Sequence, residues 1–145
     1  PTPSFGTADD STRPITPSSA AEAPALSSRT YEEFAKLAAT HYEKGGLIGA
    51  VCHGPAALLP ITLSSGKALL ADKSVTSFTR EEEVDYGTIN DIPFLLEEAL
   101  ARKSARFSKV QPWQEFVVED DRLITGQNPA SAHSVATAMV KQLGC

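Results

Sequence analysis

An apolar run that stops abruptly at a cysteine constrains this chain more than any other feature. Leu47-Ile48-Gly49-Ala50-Val51 has strand character, Cys52 ends it, and His53-Gly54-Pro55 opens Ala56-Ala57-Leu58-Leu59, which has helical character. This is the strand–turn–helix grammar of a nucleophile elbow, with Cys in place of Ser, Gly54 at the required position, and Ala50 where the usual pattern has Gly. A small residue after the nucleophile suits the strained backbone of such a turn. Pro55 suits the first helical position, where no amide hydrogen is needed. A thiol held at a helix N-terminus meets a partial positive charge that favours thiolate, so Cys52 is expected to have a depressed pKa and to alkylate ahead of Cys145. The plainer alternative is a buried cysteine closing a core strand. The His-Gly-Pro sequel favours the elbow.

The rest of the composition narrows the setting. A chain of 145 residues fits one domain with a real core. A net charge of −5 argues against nucleic acid or an anionic membrane surface as partner. No apolar run approaches the ~18 residues that a membrane helix needs, and the first residues lack the basic-then-apolar pattern of a secretory signal. Cys52 and Cys145 make no disulfide framework, which suggests a reducing, cytoplasmic compartment. Residues 1–29 are rich in Pro, Ser, Thr and Ala, with Phe5 their sole aromatic, and are expected to be disordered or loosely packed. Residues 30–145 then form the domain. No cluster of His, Cys, Asp and Glu has zinc-ligand spacing and no phosphate-binding glycine loop is present, so neither metal nor cofactor is expected.

Periodicity and punctuation predict an alternating order. Thr30 and Glu33 form a capping-box pattern for a helix carrying Tyr31, Phe34, Ala35, Ala38 and Tyr42, which Gly45-Gly46 ends. Strand 47–51 does not alternate with polar residues, as suits a parallel strand covered on both faces. A helix over 55–63, a strand over 73–78 and a short helix over 81–86 follow. An amphipathic helix over 92–103 has Ile92, Leu95, Leu96, Ala99 and Leu100 as its apolar face. Then come a strand over 106–110, a hairpin of 116–118 with 123–125, and a helix over 131–143 capped by Ser131 or Asn128. The alternation is that of a layered α/β domain.

Three ordered blocks carry a family resemblance. They are Ala50-Val51-Cys52-His53-Gly54-Pro55-Ala56, the stretch from Lys73 through Ser77-Phe78-Thr79-Arg80 to Glu83, and Arg122 through Gln127-Asn128-Pro129-Ala130-Ser131 to Ser134. Over residues 31–143 the chain resembles the ThiJ/PfpI superfamily, and its Cys-His pair and Asn-Pro-Ala-Ser loop resemble the heat-shock-induced glyoxalase III branch. The resemblance implies a flavodoxin-like three-layer α/β sandwich. It implies that an acid five residues after Phe78, here Glu83, holds His53. It also implies earlier βα units, a glycine-rich loop near the oxyanion site and a further glutamate, none matched by residues 1–29. The elbow strand would then lack partners on one side, to be completed by a homodimer mate or a complementing chain.

Each candidate residue has a plainer alternative. His53 follows the thiol directly, so its ring need not meet the sulfur as in a Ser-His pair; otherwise it is an incidental loop histidine. Glu81 and Glu82 are expected on a solvated helix face, their charge complementing the helix dipole. The backbone amides of His53 and Gly54 are natural oxyanion donors. Trp113 either lines a pocket or packs in the core. Asn128 and Pro129 shape a loop at the strand ends, where open α/β sheets place their sites. His133 and His41 are assigned structural roles. The resemblance implies a glutathione-independent glyoxalase in which Cys52 adds to a small 2-oxoaldehyde such as methylglyoxal, the hemithioacetal passes through an enediol-like state, and water releases D-lactate. The alternative is non-catalytic: a redox-sensing or chaperone-like stress protein, or a degenerate subunit.

Overall fold

Apolar residues alternate across a short sheet, and both its faces are covered. The computed structural model describes residues 28–145, so the expectation for residues 1–29 lies almost wholly outside the described residues. Among these, β1 (Ile48–Val51), β4 (Val117–Asp120) and β5 (Leu123–Gly126) form a sheet in the order β1-β5-β4. β1 runs parallel to β5 with Ile48 opposite Leu123, and β4 pairs antiparallel with β5. The predicted hairpin is present, closed by the two residues Asp121 and Arg122, with Asp121 in the left-handed region (φ 54°) that such tight turns require. β2 (Ser74–Val75) and β3 (Arg106–Phe107) form a second, parallel pair.

Successive residues of β1 and β5 point to opposite faces, and two cores result. On one face Leu123, Ile48 and Ala50 meet Ala35, Ala39 and Tyr42 of α1 (Ser28–Glu43), together with Leu70, Val75 and Leu100. On the other, Ile124, Val51 and Val117 meet Val135, Ala138 and Met139 of α4 (Ala132–Gln142). Helices therefore cover the sheet from both sides, the three-layer α/β sandwich expected. Each fully buried Leu or Ile contributes about 1.5–3 kcal/mol of burial.

Several boundaries differ from the sequence expectation. α1 starts at Ser28, so Thr30 lies inside it and is not its cap. The helix expected over 55–63 is a 3₁₀ turn, Gly54–Leu58, because Pro60 has no amide to continue it. The amphipathic helix is α3, Leu96–Lys103, starting only after Pro93. The strands expected over 73–78 and 106–110 shorten to the two-residue pairs of β2 and β3. Beyond β2 the chain is anchored by side chains instead, Thr76 N donating to Thr125 Oγ1 at 2.9 Å. α4 begins after a 3₁₀ turn at Pro129–Ser131, and neither Ser131 nor Asn128 caps it. Both side chains are engaged elsewhere.

Candidate active site

Cys52 occupies the turn between β1 and the 3₁₀ turn with φ 62°, a left-handed conformation that a side-chain-bearing residue adopts only under constraint. Such strain costs on the order of 1–3 kcal/mol and persists where the surroundings over-determine it. Here they do. Cys52 N donates to Gly126 O at 3.0 Å, extending the β1–β5 ladder, and Cys52 O accepts from Phe78 N at 2.9 Å. The elbow read from the sequence is present.

The His53 ring does meet the sulfur, although adjacency alone gave no reason to expect it. Its Nδ1 lies 3.3 Å from Cys52 Sγ, and its Nε2 lies 2.5 Å from Glu83 Oε1. With the thiol donating to Nδ1, the ring is the Nε2–H tautomer and donates to the Glu83 carboxylate. Glu83 is 2% exposed, and its second oxygen accepts the Thr88 hydroxyl. Thr88 reaches back because Gly87 takes the left-handed conformation (φ 81°) that ends α2 (Arg80–Tyr86). The Phe78 ring lies on His53 with centroids 4.6 Å apart, and Trp113 meets Phe78 edge-on at 5.5 Å. Cys52, His53 and Glu83 thus form one row, with Phe78 tilted over the His53 ring and Trp113 edge-on to Phe78.

Two expectations are overturned. Glu82 is not on a solvated face: it is fully buried, and its carboxylate accepts from the Thr79 amide and hydroxyl, the Trp113 amide, Gln127 Nε2 and Asn128 Nδ2. Burial pulls its pKa upward, but the donors from Trp113, Asn128, Thr79 and Gln127 outweigh it and hold the carboxyl below its ordinary range. Thr79 and Glu82 form the capping box of α2. Glu81 does stay exposed, paired with Lys109 at 2.8 Å.

Nor is the Cys52 thiol depressed. Burial pushes it up to about 11; a backbone hydrogen bond from His53 opposes this, and the Glu82 and Glu83 carboxylates reinforce it. The helix dipole cannot compensate, because five residues of 3₁₀ turn align too few peptides. The resting group is a thiol, and its deprotonation at neutral pH requires a base. His53 Nδ1 is in place to serve.

Trp113 is 42% exposed, with φ 66°; its amide is held by Glu82 and its indole Nε1–H donates to Asp85 at 3.2 Å. It is not core-packed, and it meets the row through Phe78. Asn128 is fully buried and donates to Glu82 and to Gln114 O, whereas Pro129 is exposed at the start of its 3₁₀ turn. The Gly54 amide follows directly on the elbow. His133 is exposed on α4, and His41 Nε2 contacts Leu47 O at 3.0 Å. Sequence reasoning missed Glu82, Thr88 and the ring of Phe78. A groove of about 340 Å³ between α1 and the pair Pro60 and Thr62 contains none of the row. Among the described residues no group of three His, Cys, Asp or Glu could hold a metal ion, and no helix is long and apolar enough to cross a membrane.

A strained cysteine elbow whose histidine is braced by a buried acid, set in a three-layer α/β sandwich, defines a class of cysteine-elbow proteins. Residues 23–142 match the DJ-1/PfpI family, and the chain belongs to that family. It is 35% identical over 113 residues to the glutathione-independent glyoxalase HSP31 of Saccharomyces cerevisiae, covering 74% of this chain and 48% of that protein. The crystal structure of glyoxalase III from Candida albicans superposes with a TM-score of 0.69 at 30% identity, over 77% of this chain and 52% of that one. The Rapid Encystment Protein of Francisella tularensis superposes at 0.73 and 38% identity, over 76% and 49%. The chain spans about half the length of these relatives.

Proposed function

We propose that this chain carries the nucleophile, base and orienting acid of a glutathione-independent glyoxalase that converts methylglyoxal to D-lactate. The observation that carries the reading is the continuous row from Cys52 Sγ through His53 to Glu83. As Cys52 Sγ bonds to the aldehyde carbon, the thiol proton passes to His53 Nδ1, and Glu83 stabilises the imidazolium. The proton returns to the new alkoxide, giving a hemithioacetal. Loss of the proton on that carbon and its delivery to the former ketone carbon, through an enediol, oxidises the first carbon and reduces the second. The product is a lactoyl thioester of Cys52. Water cleaves it, releasing D-lactate and the thiol, so aldehyde plus water equals lactate with no external oxidant. The amides of His53 and Gly54 serve the alkoxide. Exposed Trp113, edge-on to Phe78, and exposed Pro129 border the substrate, and fully buried Asn128 holds their loops from behind.

The names of the relatives support this reading, and the thiol raised to about 11 counts against the redox-sensing alternative, since oxidants attack thiolate. Two free cysteines fit a cytoplasmic setting, and β1 at the sheet edge fits a homodimer or complementing chain. The test is D-lactate formation from methylglyoxal without glutathione. Wild type should form D-lactate and Cys52→Ser should not; equal product from both would refute the assignment.

A further inference from the structure

Both supports of the His53 ring lead back to the same buried group. Along one edge, His53 is held by Glu83, the residue next to Glu82 on the first turn of α2. Over one face it is held by Phe78, which Trp113 backs at 5.5 Å, and the Trp113 amide donates to Glu82 Oε1 at 2.9 Å. An ordinary capping box needs only the Oε2 half of this carboxylate, where Thr79 N and Oγ1 donate at 2.9 and 3.0 Å. The Oε1 half is surplus to capping, yet it collects Trp113 N, Gln127 Nε2 at 3.1 Å and Asn128 Nδ2 at 2.8 Å, from segments 31, 45 and 46 residues away.

We propose that Glu82 is a positioning residue for the Cys52–His53–Glu83 row. Its carboxylate gathers the cap of α2, the Trp113 loop and the Gln127–Asn128 strand end into one register. That register aims Glu83 at His53 Nε2 and sets the Trp113 indole behind Phe78. Only an acceptor-only group satisfies five donors, so a glutamine must turn its NH₂ toward the Thr79 pair or toward the other three. Trp113 also sits at φ 66°, a conformation that a bulky residue keeps only while something holds its backbone, and the Glu82 bond to its amide does so. The inference deepens the proposed function and rests on it for the meaning of the row, but not for the geometry.

The test compares wild type, Glu82→Gln and the exposed neighbour Glu81→Gln in the full chain, at a temperature where circular dichroism shows each folded. Trp113 is the sole tryptophan, so its emission and acrylamide quenching report its loop directly. The short His53–Glu83 bond should give a downfield proton resonance, assignable with ¹⁵N-histidine labelling. Glu82→Gln should shift Trp113 emission to the red, raise its quenching and weaken or move the His53 resonance. Its kcat for methylglyoxal should fall on the order of 10²-fold with KM little changed, as misaligned catalytic groups do. Glu81→Gln should match wild type in all of these. A Glu82→Gln protein that loses only thermal stability, with emission and His53 resonance as in wild type, would overturn the proposal and leave Glu82 a structural cap. Should Glu82→Gln not fold, Asn128→Ala removes one donor from Oε1 and keeps the charge. It should shift both signals in the same directions, and unchanged signals would overturn the proposal. Absence of turnover in wild type would defeat the glyoxalase reading alone, because the fluorescence and NMR outcomes still decide the role of Glu82.

Discussion

Three consecutive glutamates on the first turn of α2 meet three different fates. Glu81 is solvated beside Lys109, Glu82 is enclosed by five donors, and Glu83 faces His53. Cys52 and His53 were legible from local punctuation, because an elbow writes itself in adjacent residues. Glu83 was legible only through the family resemblance. The Thr79-Arg80-Glu81-Glu82 pattern was open to view as a capping box, but a local pattern cannot announce donors that arrive from residues 113, 127 and 128. The thiol expectation failed for a related reason: the dipole argument is local, whereas burial and facing carboxylates come from the assembled fold. Two outcomes follow from the raised thiol. Iodoacetamide should alkylate exposed Cys145 ahead of Cys52 at neutral pH, and the Cys52 rate should keep climbing toward pH 11, as peptide mass spectrometry can follow. A Cys52 plateau near pH 7 would contradict this. A folded-state pKa raised from 9.0 to about 11 also means the native state holds the proton more tightly. The contribution of Cys52 to stability is therefore present below pH 9 and is lost as pH rises through 11. The stability difference between wild type and Cys52→Ala, measured by urea unfolding, should shrink across that window.

Element types followed from periodicity, whereas their lengths were set by tertiary contacts. The hairpin of β4 and β5 and the helical character of α1, α3 and α4 were readable because alternating or 3.6-residue apolar patterns persist along them. The strand after Lys73 was overestimated because its Thr and Ser residues suit a strand, whereas beyond Val75 its backbone is held by a side chain of β5, the Thr76 amide donating to Thr125 Oγ1. At the end of β5, Gly126 lies against α4 so closely that an added Cβ would stand 2.8 Å from both Ser131 Cβ and Val135 Cγ2. Gly126→Ala should destabilise the fold by about 1–3 kcal/mol in urea unfolding, the usual range for overpacking. It should also perturb Trp113 emission, because the displaced segment contains Gln127 and Asn128. A neutral substitution would show that α4 yields freely.

Across the whole molecule, the described residues give a sheet with β1 at its edge. Cys52 N and Ile48 N donate toward β5, so by strand parity the amides of Gly49 and Val51 face the open side. Hydrogen exchange should find Gly49 and Val51 exchanging faster than Ala50 and Cys52. Equal protection would mean that the edge is covered by a second copy or by a segment outside the described residues. The family pattern led to the expectation of an edge position for β1, which it holds among the described residues, but it offered no view of how two cores and one buried carboxylate hold the row in place. The central claim is that a neutral thiol is activated through His53 by Glu83. It is tested most directly by glutathione-free methylglyoxal turnover of wild type and Glu83→Gln, measured side by side on folded protein. Turnover should fall on the order of 10⁴-fold, as when the acid of a comparable triad is neutralised; a Glu83→Gln chain that turns over methylglyoxal as fast as wild type would contradict the account.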